Sequence, residues 1–263
     1  MHNRRIVDDF SVLYSDDDTL FSLTRIGALN IFKARIERGD DLNRRTYCES
    51  HCIHLAADYG RLDFLNYFQE LEVDLNLTDK FNNTALHRAI SSREVEAALF
   101  LIEQGANINK LNSDGNSPLN LSLKFGFTII TNSLIERGAR LNDKNVFGWT
   151  PLHFAVALGD IEILKTLCEA GANYTFIGKC NRYSALHLAA DIGDIGIIDY
   201  FLSKRVDIDY RYESGYTILH TAVRNNHHDL ARFLIENGAQ VNLKTNKKIM
   251  VLWILLHGLV ILA

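Results

Sequence analysis

A segment that recurs at a nearly constant interval restricts the fold more than any other feature of this chain. Gly148 to Asp160 reads Gly-Trp-Thr-Pro-Leu-His-Phe-Ala-Val-Ala-Leu-Gly-Asp. Thr150 suits an N-cap, its hydroxyl accepting from an otherwise unpartnered first-turn amide, and Pro151 at the first helical position gives up a donor with no use there. Leu152, Ala155 and Val156 then share an apolar face, and Gly159 supplies the permissive backbone on which a helix ends. A helix this short is marginal alone. Its partner follows directly: Ile161, Ile163, Leu164 and Leu167 make a second apolar stripe, closed by Gly171 and Ala172. The unit is helix, turn, helix, loop.

The same core returns as His51-Cys52-Ile53-His54, Thr84-Ala85-Leu86-His87, Ser117-Pro118-Leu119-Asn120, Ser184-Ala185-Leu186-His187 and Thr217-Ile218-Leu219-His220. Successive starts, with Thr150 in its place, lie 33, 33, 33, 34 and 33 residues apart. Glycines recur in phase after the first helix (Gly60, Gly126, Gly159, Gly193) and after the second (Gly39, Gly105, Gly138, Gly171, Gly238), as do loop asparagines (Asn43, Asn76, Asn109, Asn142, Asn242). With this period and a Thr-Pro-Leu-His-x-Ala core, the chain closely resembles the ankyrin-repeat family. One period before His51 stands Asp18, heading a degenerate unit with Leu20, Leu23, Gly27, Ile31, Phe32 and Ile36 that reads as an amino-terminal cap. The resemblance implies an all-α ankyrin-repeat solenoid of about seven helix-turn-helix units with short β-hairpin fingers. The units fall at residues 15–45, 46–78, 79–111, 112–144, 145–178, 179–211 and 212–245, between a head at 1–14 and a tail at 246–263.

An array in which each unit touches only its neighbours grows in one direction, so the length is read as one domain. The net charge of −4 and ordinary apolar content of 47% give no reason to expect nucleic acid as a partner. Cys48, Cys52, Cys168 and Cys180 make no disulfide framework, and Cys168 falls on a helical core stripe, which fits a reducing compartment. Basic residues near Met1 are followed by no apolar run, so no secretory signal is expected and a cytoplasmic location is.

Several residues imitate functional sites. Cys48, His51, Cys52 and His54 crowd together as zinc ligands would, yet Cys52 fills the Pro slot and His54 the His slot of the repeat, so no metal is expected. His54, His87, His153, His187 and His220 recur once per unit. In the family resembled, that ring bonds backbone and hydroxyl groups at the junction between units, a scaffold role. Asn120 departs from this pattern, as do Phe21 and Trp253 near the two ends. Asp16, Asp17 and Asp18 are placed to favour the start of the first helix. Asp79, Asn82 and Thr84, then Asn112, Gly115 and Ser117, have the composition of tight fingers. The sixth finger, with an insertion within Phe176 to Asn181 and Arg182 in place of glycine, should differ in shape. Arg93 and Asn226, then Glu72 and Arg205, replace the helix-end glycines and imply local strain.

From Ile249 to Ala263 the chain is apolar and uncharged after Lys247-Lys248. Fifteen residues are fewer than the ~17 to 25 that span a bilayer as a helix. The segment reads as a truncated last repeat, a covered apolar segment or a membrane attachment, the last giving a membrane-associated adaptor as the alternative function; a chain ending so abruptly is also read as a fragment of a larger protein.

No phosphate loop, nucleophile elbow or His-Glu-x-x-His is present, so no enzyme, cofactor or small-molecule substrate is expected. The resemblance implies instead a protein-binding adaptor or scaffold gripping its partner in a concave groove of fingers and first helices, at positions the scaffold leaves free. Those positions hold Tyr47, Tyr59, Lys80, Phe81, Phe125, Phe147, Trp149, Leu158, Tyr183, Ile192, Tyr216 and Arg224, together with Asp114, Asn181, Asp191, Glu213 and Asn225. Trp149, Tyr183 and Tyr216 share one phase in consecutive units and are expected to line one edge as aromatic anchors.

Overall fold

The computed structural model describes residues 19–174, 184–211 and 215–245. The chain divides into two compact units, Met1–Asn107 and Ile108–Ala263. Among the described residues the amino-terminal unit contains three helical pairs: α1 (Leu20–Ile26) with α2 (Leu29–Glu37), α3 (Cys52–Asp58) with α4 (Leu62–Glu70), and α5 (Ala85–Ser92) with α6 (Val95–Glu103). The carboxy-terminal unit contains four pairs among the described residues: α7 (Pro118–Phe125) with α8 (Thr128–Glu136), α9 (Pro151–Leu158) with α10 (Ile161–Glu169), α11 (Ala185–Ile192) with α12 (Ile195–Ser203), and α13 (Ile218–Arg224) with α14 (His228–Glu236). The fold is of the expected all-α repeat class.

Each pair closes around residues from its two apolar stripes. Leu152, Ala155 and Val156 of α9 are buried, as are Ile163, Leu164 and Leu167 of α10. The first pair lacks the Thr-Pro-Leu-His core and is anchored by an aromatic cluster instead. Phe32 of α2 is fully buried and meets the edges of Phe64 and Phe68 of α4 at 5.1 and 5.7 Å between centroids, a favourable arrangement of ring quadrupoles.

The helix starts follow the repeat. Thr84, Thr150 and Thr217 lie in extended backbone ahead of α5, α9 and α13, each in a reciprocal cap with the histidine at the third helical position. The first helix departs from the expectation by one residue. Its N-cap is Thr19, whose hydroxyl accepts from the Ser22 amide at 3.2 Å, and no carboxylate stands in the first turn of α1. A hydroxyl so placed satisfies the first-turn amide, and the aspartates before it lie outside the described residues.

Glu72, Arg93, Arg205 and Asn226 all adopt left-handed backbone, with φ of 54°, 68°, 61° and 59°, as the missing glycines imply. Glu49 and Asn82 do the same within fingers, both at φ 56°.

Among the described residues the fingers contain no extended strand; Ser184 stands in a β-bridge, and the others turn back through single backbone bonds such as Asp79 N–H to Asn83 C=O (3.0 Å). Three are tight turns closed by a leading acid or amide, Asp79, Asn112 or Asn145, and the finger before α3 is closed by the Thr46 hydroxyl. The Asp79 carboxylate accepts from the amides of Phe81 and Asn83 at 2.8 and 2.9 Å, and the Asn145 side chain accepts from Phe147 and Trp149 at 3.0 and 2.9 Å. Neighbouring fingers are joined by the backbone bonds Lys80 N–H to Cys48 C=O (3.1 Å) and Val146 N–H to Asp114 C=O (2.9 Å). With side chains serving the turn amides, the backbone forms no extended ladder.

The recurring loop asparagines have a matching use. Asn76, Asn109 and Asn142 accept from the amides of Asn107, Arg140 and Asn173, each 31 residues on, at 2.7 to 2.8 Å. Asp209 stands in for the amide in its own repeat, accepting from Gln240 at 3.0 Å.

Candidate partner-binding surfaces

In the amino-terminal unit the four expected residues lie around one hollow. Tyr47 and Phe81 project from consecutive fingers, 82% and 48% exposed, and the Lys80 ammonium sits 5.2 Å from the first ring and 4.9 Å from the second. A cation over two ring faces is held by their quadrupoles. Tyr59, at the end of α3, is 45% exposed and lines a pocket with Phe81, Phe21 and Leu55. Tyr47 and Lys80 stand at this edge rather than in the lining.

The polar side of the pocket is formed by Arg25 of α1, Asp58 of α3 and Arg88 of α5, with Thr46, Cys48 and Ser50 from the finger. Asp58 is already neutralised: the Arg88 Nε donates to both its oxygens at 2.9 and 3.0 Å, Nη2 also contacts it, and the Ser92 hydroxyl donates at 3.0 Å. Such a forked pair fixes both side chains.

In the carboxy-terminal unit, Phe147 projects from its finger at 54% exposure. Trp149 does not project. It is half-buried, stacked on His153 at 6.2 Å and edge-on to Phe154 at 5.2 Å. Tyr216 is likewise half-buried, edge-on to His220 at 5.6 Å, and Arg224 covers its ring at 5.7 Å. Tyr183, the middle of the expected row, lies outside the described residues, as do Asn181 and Glu213. Phe147, Trp149 and Phe154 line a hollow with Asp114, Asn116, Lys124 and Asn145.

The remaining expected positions are engaged to differing degrees. Phe125 is half-buried beside Phe127, with Lys124 over its ring. Leu158 is exposed but lies against Gly126, leaving ordinary van der Waals room for a Cβ there. Ile192 is exposed at the end of α11. Asp191 accepts from Asn225 at 2.8 Å and from Arg224 at 3.4 Å, so those three polar groups hold one another.

The histidines act as scaffold. His54 Nδ1 accepts from the His51 amide at 3.0 Å, while Nε2 reaches the Leu77 and Asn83 carbonyls at 3.0 and 3.1 Å. His220 repeats this with the Thr217 amide and the Leu243 carbonyl. Burial lowers the pKa of His54 and His220, and brings His187 down to about 4, so these rings are neutral at pH 7. Burial likewise raises the Cys52 and Cys168 thiols to about 12 and 11, which makes both poor nucleophiles.

Comparison with known proteins places this arrangement. A family model described as ankyrin repeats (three copies) matches residues 20–112, 104–177 and 175–245. The chain belongs to the ankyrin-repeat family, and its repeats are of a kind that serves protein–protein interaction. It is 31% identical over 192 residues to a transient receptor potential cation channel subfamily A member 1 homolog of Caenorhabditis elegans, covering 73% of this chain and 16% of the channel. It is 35% identical over 74 residues to ankyrin repeat domain-containing protein 37 of Xenopus tropicalis, covering 28% and 45% respectively. With the palmitoyltransferase akr1 of Schizosaccharomyces pombe the identity is 36% over 63 residues, 24% of this chain and 10% of the enzyme. The chain spans less than half the length of each of these relatives. Among the described residues, no helix is long and apolar enough to cross a membrane. The apolar segment from Ile249 onward lies outside the described residues.

Proposed function

We propose that this chain is a non-enzymatic adaptor that binds a protein partner through exposed aromatic and cationic side chains on its fingers and first helices. It acts in the cytoplasm. The observation carrying this reading is that Tyr47, Phe81 and Phe147 remain exposed on fingers whose turns are closed by Thr46, Asp79 and Asn145 respectively. Large rings held on an ordered backbone lose little entropy on docking, which suits them as anchors. Trp149 and Tyr216 take a supporting part by bracing the histidines of their own repeats, while Phe147 makes the contact.

Affinity capture with the full chain, compared with the Phe147→Glu and Phe81→Glu variants, tests this. Proteins retained by the parent should be lost from at least one variant while helical circular dichroism is unchanged. An identical set of retained proteins on all three baits would refute the placement.

A further inference from the structure

The pocket of the amino-terminal unit combines three properties that narrow its occupant. Its walls are apolar, from Phe21, Leu55, Tyr59 and Phe81. Its volume of about 120 Å³ is comparable to the ~150 Å³ of an apolar cavity that accepts benzene, which gives room for one leucine- or phenylalanine-sized side chain. Its charge is positive. Asp58 is matched by Arg88, which leaves Arg25 in the lining and Lys80 beside Phe81 at the edge.

We infer that this pocket binds an acidic peptide segment, taking one Leu- or Phe-sized side chain between Tyr59 and Phe81 and setting flanking carboxylates against Arg25 and Lys80. The inference rests on the protein-binding reading above and names the chemistry of the partner. A basic segment would bring its charges to Arg25 and Lys80 without a free carboxylate to receive them, since both Asp58 oxygens already accept from Arg88. Complementary charge at an edge sets partner choice and association rate more than total affinity, while the buried side chain supplies the hold. Cys48 lines the same pocket and is only half-buried, so its thiol reports occupancy.

Selection from a random twelve-residue peptide library on the full chain tests the assignment, followed by fluorescence anisotropy with labelled winners. Winners should carry one large apolar residue with Asp or Glu within three positions. Their affinity should fall about ten-fold or more in the Arg25→Glu, Lys80→Glu double variant, by a similar factor in Phe81→Ala, and not at all in Ile129→Glu, at an exposed position of α8 outside both hollows. Bound peptide should slow alkylation of Cys48 by iodoacetamide, followed by site-resolved mass spectrometry. The variants touch exposed side chains, and circular dichroism checks that the helices persist. The pocket assignment is overturned by failure to enrich any peptide, by winners without carboxylates, or by unchanged Cys48 alkylation. Peptides that lose affinity only in Phe147→Glu overturn it too, while leaving the protein-binding reading intact.

Discussion

Asn120 occupies the position that holds histidine in five other repeats, and the substitution leaves a defect. The side chain is fully buried, and neither its oxygen nor its nitrogen has a hydrogen-bond partner. A carboxamide in that state forfeits bonds that water supplied in the unfolded chain. His54 and His220 each reach a carbonyl 23 residues further on, Leu77 and Leu243. From position 120 the same reach ends at the Asp143 carbonyl, and Nδ1 would accept from the Ser117 amide. Asn120→His should therefore stabilise the carboxy-terminal unit by about 1 to 2 kcal/mol, read as a higher urea midpoint at unchanged slope. A lower midpoint would show that the imidazole cannot be accommodated there.

Helix ends show the same chemistry at the scale of an element. After α5 the left-handed position is held by Arg93, after α11 by Gly193. Arg93 bears a Cβ in a conformation that disfavours one, so Arg93→Gly should be neutral or stabilising by up to about 1 kcal/mol. Gly193 stands at φ 87°, and a Cβ there would come within 2.7 Å of the His227 ring, whose Nε2 lies 2.8 Å from the Asp191 carbonyl. Gly193→Ala should destabilise by roughly 1 to 3 kcal/mol, and parallel thermal melts of the two variants should shift in these different directions. Both exceptions and rule were readable from sequence, because a 33-residue period makes a missing glycine visible. The helix boundaries were legible for the same reason, since Thr-Pro-Leu-His specifies a cap locally. What long-range pairing decides was not. Asp58 and Arg88 are 30 residues apart at positions the repeat leaves free, and no local pattern couples them to Phe21 and Arg25. Nor does phase tell a projecting ring from a bracing one. Phe147 and Trp149 are two residues apart, and only the packing of Phe154 against the indole separates their roles.

For the molecule as a whole, distributing buried neutral histidines through the repeats makes acidity a general solvent of its stability. His187 accepts or shares a hydrogen bond with the Ser184 hydroxyl at 2.8 Å, packs 5.8 Å from the Tyr210 ring, and has its pKa lowered to about 4 mainly by burial. The unfolded chain protonates the same ring near its ordinary value of about 6.5, so the unfolded state binds the proton first. The contribution to stability is then fully present above about pH 6.5 and is lost as the pH falls toward 4, by on the order of 2 kcal/mol at pH 5. His54 and His220 are shifted in the same direction by the same cause, so their losses fall on the same side of neutrality. Because a repeat array is held by nearest-neighbour contacts, the loss need not spread evenly, and a broadened urea transition in acid is the expected form. Replacing His187 by Asn removes one titrating ring. At pH 7 the variant should be less stable than the parent, and the gap between them should shrink as the pH is lowered from 7 to 5. Urea midpoints measured at half-unit intervals decide it: curves that stay parallel across that range would mean His187 keeps its proton affinity on folding, contrary to the burial argued for it.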